Sequence, residues 1–169
     1  MSRQKDDAGL EERLFLAGQR TSVLAIVDGL DEGFWHRPAV PSGWTVAGIV
    51  SHLGSAERFW FQHVVLGQRD DLPWDEGLPP YDPTAPLTCA RPSRALLAYY
   101  REQCDRSDAV LDGTALSARP LGRHGIADLE EPTTVRWVVL HMIEETAAHS
   151  GHLEIARELL DGKVGLGNR

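Results

Sequence analysis

Side chains able to do chemistry crowd into one stretch near the end of the sequence, Leu140-His141-Met142-Ile143-Glu144-Glu145-Thr146-Ala147-Ala148-His149-Ser150-Gly151-His152-Leu153. Imidazoles and carboxylates donate lone pairs to zinc, nickel, iron or manganese, and imidazoles also exchange protons near neutral pH. On a helix at about 100° per residue, with His141 at zero, Glu145 falls at about 40°, His149 at about 80° and His152 at about 20°. These four side chains share one narrow face. Val138, Val139, Met142, Ile143, Leu153 and Ile155 flank it, so the polar stripe is expected to look inward, where polar groups need partners.

Glu145 and His149 stand one turn apart, a spacing from which a carboxylate and an imidazole can hold one ion. His52, the polar exception in another apolar segment, can bring a third donor. Two histidines and one carboxylate leave a coordination position open for water or a substrate atom. From spacing alone His141 or His152 can replace a member of this set, and a Glu-His pair at i, i+4 is also an ordinary helix contact. Glu144 points about 100° away from Glu145 and reads as a solvated or supporting acid. His63 lies on the His52 face but roughly 16 Å further along by helical rise, too far to share an ion, and reads as structural.

The elements that must position these groups follow from periodicity. Leu10, Leu14, Ala17, Thr21, Leu24 and Val27 predict an amphipathic helix over about 8–29. Gly29, Gly33, Pro38 and Pro41 then make a connector with aromatic anchors. Val46, Ile49, Val50, Leu53, Trp60, Phe61 and Val64 predict a second helix, capped by Ser42 or Thr45 and stopped by Gly67. The proline-rich stretch from Gln68 to Pro92 reads as a long loop in which Trp74 and Tyr81 either fold over a site or pin a crossover. A third helix runs from Pro92 to about Gly113, and a second irregular segment carries Arg123 and His124, which either approach a site or, as the first expectation, face solvent. Thr133 or Thr134 starts the last helix, which ends near Asp161 before Gly162. Four long helices without a strand run or an internal repeat predict an all-α bundle, whose core can build a metal site from facing helices.

With 169 residues the expectation is one domain, 1–169, with a core that needs no disulfide. A formal net charge of -8 and the absence of a basic arm argue against a nucleic-acid partner. Cys89 and Cys104 lack metal-site or redox spacing and read as reduced thiols. The polar N-terminus and the lack of an apolar run of membrane length predict a soluble cytoplasmic protein with no membrane partner.

Two motifs carry a resemblance: Trp44 with Ser51-His52-Leu53-Gly54-Ser55-Ala56-Glu57-Arg58-Phe59-Trp60-Phe61, and Leu140 through His152. Together they resemble the DinB-like (YfiT-like) superfamily, and more narrowly its actinobacterial branch of unknown function labelled mini-circle protein. The resemblance covers nearly the whole chain and implies an up-down-down-up four-helix bundle with a divalent ion between helix two and the last helix. Many members carry H-x-x-x-H-R-G-Q there; this chain has Glu145 for the first histidine, and Ser150 and His152 for the arginine and glutamine. A His, Glu, His set is similar to that of mycothiol-dependent maleylpyruvate isomerase, which implies His52, Glu145 and His149 as the metal ligands.

The activity this implies is a divalent-metal-dependent transfer or isomerisation involving a low-molecular-weight thiol of the mycothiol type, with the thiol activated as a metal-bound thiolate beside an electrophilic substrate. Zinc is the first expectation for the ion, with nickel, iron or manganese also compatible. His141 or Glu57 would orient a ligand or move a proton, the loop from Gln68 to Pro92 would cover the substrates, and Arg136 and Arg20 are candidate anchors for carboxylates. A homodimer is compatible with the family pattern. Two alternatives keep the same site: a hydrolase using activated water, assisted by Glu57 or Glu144, and a non-catalytic metal-binding stress-response module.

Overall fold

The structure is a computed structural model, described here over residues 9–68, 85–126 and 129–165. These residues form helices and no strand. In chain order they are α1 (Leu10–Val27), a short α2 (Glu32–Trp35), α3 (Val46–Glu57) running into a π-helical segment (Arg58–Val65), α4 (Ser93–Gly113) and α5 (Val135–Asp161). No helix among them is long and apolar enough to cross a membrane.

The buried face of α1 is Leu16, Arg20, Val23 and Val27. This corrects the face expected from Leu10 and Leu14, which are 50% and 61% exposed. The cause is Arg20, a charged residue on the core face, which hides the true periodicity from a reading by hydrophobicity. The connector also holds more structure than expected. Asp31 caps α2 by accepting from the Gly33 N–H at 2.9 Å, and Trp35, 2% exposed, donates its Nε1–H to the Leu30 carbonyl.

Thr45 caps α3, accepting from the Gly48 N–H at 3.0 Å, while its own N–H donates to the Leu87 carbonyl at 3.0 Å. Most of α3 is buried, with His52, Ser55 and Ala56 as its partly exposed residues. Past Glu57 the helix widens into π turns, a change without an apolar-spacing signature. Its last carbonyls are taken up from outside: Leu121 N–H donates to Val65 and Gly122 N–H to Val64, at 3.0 and 2.9 Å. A Cβ at Gly122 would collide with the His63 carbonyl, so glycine is required there.

A remote side chain starts α4: Glu32 accepts from both the backbone N–H and the hydroxyl of Ser93. Thr134 caps α5 by accepting from the Trp137 N–H at 3.3 Å, and Gly162, left-handed at φ 76°, closes it. Helix α1 packs chiefly on α5, and α3 chiefly on α4.

The apolar core has two parts. One gathers Val23, Val27, Trp35, Ile49, Leu53, Leu96, Tyr100 and Leu153, and the other Leu16, Phe61, Val64, Val110, Val138 and Met142. On each long helix the residues between these two sets are polar: Arg20 on α1, Glu57 on α3, Gln103 and Ser107 on α4, Thr146 and Ser150 on α5, all buried. A polar belt therefore crosses the middle of the molecule.

A Cβ at Gly48 would be driven into the backbone of Leu87 and Thr88. Gly48→Ala is expected to destabilise the protein by about 1–3 kcal/mol through overpacking, read as a lower thermal midpoint. A midpoint equal to wild type would show that residues 86–88 are not held against α3.

Candidate metal centre

His52 arrives from α3, and Glu145 and His149 from successive turns of α5. His52 Nε2 lies 2.7 Å from Glu145 Oε1, and His149 Nε2 lies 3.3 Å from the same oxygen. The two imidazole rings meet edge to face with centroids 4.9 Å apart. One donor atom from each of the three residues falls within 4.8 Å of the others. All three side chains are partly exposed, at 28%, 27% and 15% for His52, Glu145 and His149, so the group opens to solvent on one side.

Hydrogen bonds from His149 and then His52 hold the Glu145 carboxyl far below the usual carboxylate range, against the opposing effect of burial. Glu145 is therefore an anion throughout the physiological range. Two imidazole nitrogens converging on one ionised carboxylate suit a divalent cation of borderline hardness, and three protein donors leave room for a further ligand.

His141, one turn before Glu145, stays outside the converging set. Its ring stacks on Trp137 at 5.2 Å and 14°, and lies 4.5 Å from Trp60. Burial lowers its pKa, overcoming the attraction of Glu145 and Glu144, so the ring is neutral near pH 7. His124 closes this aromatic wall, 5.4 Å from Trp60. The expectation that His124 faces solvent is overturned: its side chain is 1% exposed, with Nδ1 accepting from the Ile126 N–H and Nε2 meeting the Glu130 carbonyl. Arg123 is solvent-facing, at 82%. His63 stacks on Phe59 and is not near the cluster's donors.

Glu57 is not brought to the cluster. Five residues after His52 it points to a different side of α3, fully buried, with Oε1 and Oε2 accepting from Arg20 Nε and Nη2 at 2.7 Å each. Arg20 Nη1 reaches on to Asp108 at 2.7 Å. Burial opposes the Arg20 charge, but the Glu57 carboxylate more than reverses this and raises its pKa above the ordinary arginine value. Arg20 is thereby corrected as a substrate anchor, because its donors are committed inside the protein. Arg136 pairs with Glu12 at 2.8 Å near the start of α5. Ile155, expected beside the buried stripe, is 53% exposed. Of the loop expected to cover the site, residues 69–84, with Trp74 and Tyr81, lie outside the described residues.

Both cysteines are free thiols among the described residues. Burial, and then the nearby Glu57 charge, push the Cys104 thiol up to about 12, so it is not an activated nucleophile.

A family model described as mycothiol-S-transferase matches residues 13–162. No curated protein matches the chain.

Breaking a buried pair from one side strands the other charge, so Glu57→Gln is expected to cost about 3–5 kcal/mol of stability, as denaturant melts will read. In the folded protein at pH 8, Cys104 is expected to resist alkylation by iodoacetamide and to react once the chain is denatured. Rapid alkylation of the native state would contradict the burial described.

Proposed function

The chain belongs to the mycothiol-S-transferase family, and from that premise we propose that it transfers a low-molecular-weight thiol of the mycothiol type to an electrophilic substrate in a divalent-metal-dependent reaction. The observation that carries the proposal is the convergence of His52, Glu145 and His149 within 4.8 Å. We assign these three side chains as the ligands, with zinc as the first candidate ion. When bound, such an ion supplies the positive charge that favours the thiolate over the thiol at neutral pH.

The chain's own groups have separable tasks in this reading. Glu145 keeps its negative charge at the site, and His52 and His149 fix the donor geometry from two helices, so that α3 and α5 must keep their spacing for the site to exist. His141 is neutral near pH 7 and offers a ring nitrogen that can take the thiol proton. Its stacking against Trp137 and Trp60 limits the ring's motion. Glu57 receives a structural task, holding Arg20 in the polar belt. The electrophile approaches from the open side, where all three ligand side chains are partly exposed. We further infer that residues 1–169 fold as one domain, an up-down-down-up four-helix bundle made by α1, α3, α4 and α5. The packing of α1 on α5 and of α3 on α4 supports that arrangement.

Elemental analysis and thiol-conjugation assays test the assignment together. His52→Ala and Glu145→Ala are each expected to lower metal affinity by more than about 100-fold, beyond the usual effect of removing a supporting group, and to abolish mycothiol conjugation of an electrophilic test substrate. Metal content that survives Glu145→Ala but is lost in His141→Ala would overturn the ligand set. Turnover that needs no thiol would overturn the transferase reading.

A further inference from the structure

His149 meets Glu145 through Nε2, so its Nδ1 faces away across the ring. There it lies 3.4 Å from Nδ1 of His152, one turn further along α5. The two rings are 5.3 Å apart at 62°, an edge arrangement that lets one N–H address the other's lone pair. His152 is flanked by Trp44, whose ring is centred 6.0 Å away just before the Thr45 cap of α3, and is otherwise exposed.

A neutral imidazole carries one proton and one lone pair, on different nitrogens. A histidine that gives its Nε2 lone pair to a cation must carry its proton on Nδ1, and that N–H needs an acceptor to hold the ring in place. Among the described residues, His152 Nδ1 is the acceptor the structure offers.

We propose that His152 is a positioning residue for the metal centre: with a cation bound, it would accept the Nδ1–H of His149 and hold that ring in the tautomer whose Nε2 lone pair is free for the ion. The inference rests on His52, Glu145 and His149 being the ligands. A histidine suits this place for two physical reasons. A neutral ring adds no second negative charge beside Glu145, and it can reverse its bond. With the proton on His152 Nδ1, that N–H donates to His149 Nδ1, and His149 Nε2–H donates to Glu145 Oε1. The other arrangement, with the proton on His149 Nδ1, is the one that would leave His149 Nε2 free for a cation.

The test is zinc titration of the metal-free full-length protein against a competing chromophoric chelator, for wild type, His152→Phe and His152→Gln, with circular dichroism confirming equal helix content. His152→Phe keeps a ring but no acceptor and is expected to weaken zinc binding roughly 10–100-fold. His152→Gln, which restores an acceptor, is expected to bind close to wild type. Ring-nitrogen NMR of zinc-loaded wild type is expected to show His149 protonated at Nδ1. If His152→Phe binds zinc as tightly as wild type, or His152→Gln loses as much as His152→Phe, the positioning role is overturned while the ligand set stands. If wild type binds no zinc, the ligand reading falls and this proposal with it.

Discussion

A charged pair in the middle of the protein constrains everything around it. Arg20 and Glu57 meet through two parallel hydrogen bonds, with nearly all of both side chains out of water. Such a pair loses hydration that its mutual attraction only partly restores, so its geometry must be satisfied closely. The fold does this by extending the pair sideways. Asp108 takes a third Arg20 donor, Ser107 donates to the Gln103 carbonyl, and Gln103 in turn accepts from Gln62. These groups lie on α1, α3 with its π-helical extension, and α4. An axial slip of α1 by one residue would move Arg20 about 1.5 Å and turn it about 100°, which the two-pronged contact would not survive. The belt therefore sets register, a task the two apolar clusters perform weakly because apolar packing is non-directional.

The same belt reaches the surface as the candidate metal centre, and the two ends have opposite characters. At the inner end each charge has a partner inside the protein and Glu57 is fully buried. At the outer end an ionised carboxylate is faced by two imidazoles that remain partly open to solvent. The first arrangement gives rigidity and no access, whereas the second gives access and a concentration of donor atoms. Helix α3 connects them, since His52 and Glu57 stand on it five residues apart and face different neighbours. The rigid end thus fixes the height at which His52 meets α5.

How far the sequence discloses this depends on whether a residue's role shows in local spacing. The four long helices were legible because caps and stops, such as Thr45, Thr134 and Gly162, act over a few residues. Glu145 and His149 were legible as a pair for the same reason, being one turn apart. Their meeting with His52 was suggested by two motifs taken together and is geometry only in the folded chain. What was not legible depends on long-range contact. Arg20 looks like a surface residue until Glu57 is known to oppose it, and reading it so turned the expected face of α1 toward Leu10 and Leu14. His124 looks like a loop histidine until Trp60 is seen to cover it. Glu57 looks like a proton carrier near His52, and only the direction of its side chain assigns it to the belt.

The π-helical segment accounts for the His124 part of that second group. Residues Arg58–Val65 follow Glu57 directly, and each π-helical hydrogen bond spans one more residue than an α-helical one. Directions read off an α-helical wheel therefore fail beyond Glu57. The widening allows one continuous rod to serve two partners. Up to Glu57 its register is locked to Arg20; beyond it, Trp60 faces the His124, Trp137 and His141 rings. Its carbonyls at Val64 and Val65 would be left without helical partners, and the chain at Leu121 and Gly122 supplies them. Only a residue without a side chain fits at Gly122, so the loop that buries His124 is anchored by the distortion itself. In this fold the departure from α geometry is what lets the register fixed by an ion pair and the aromatic wall beside His141 coexist on a single helix.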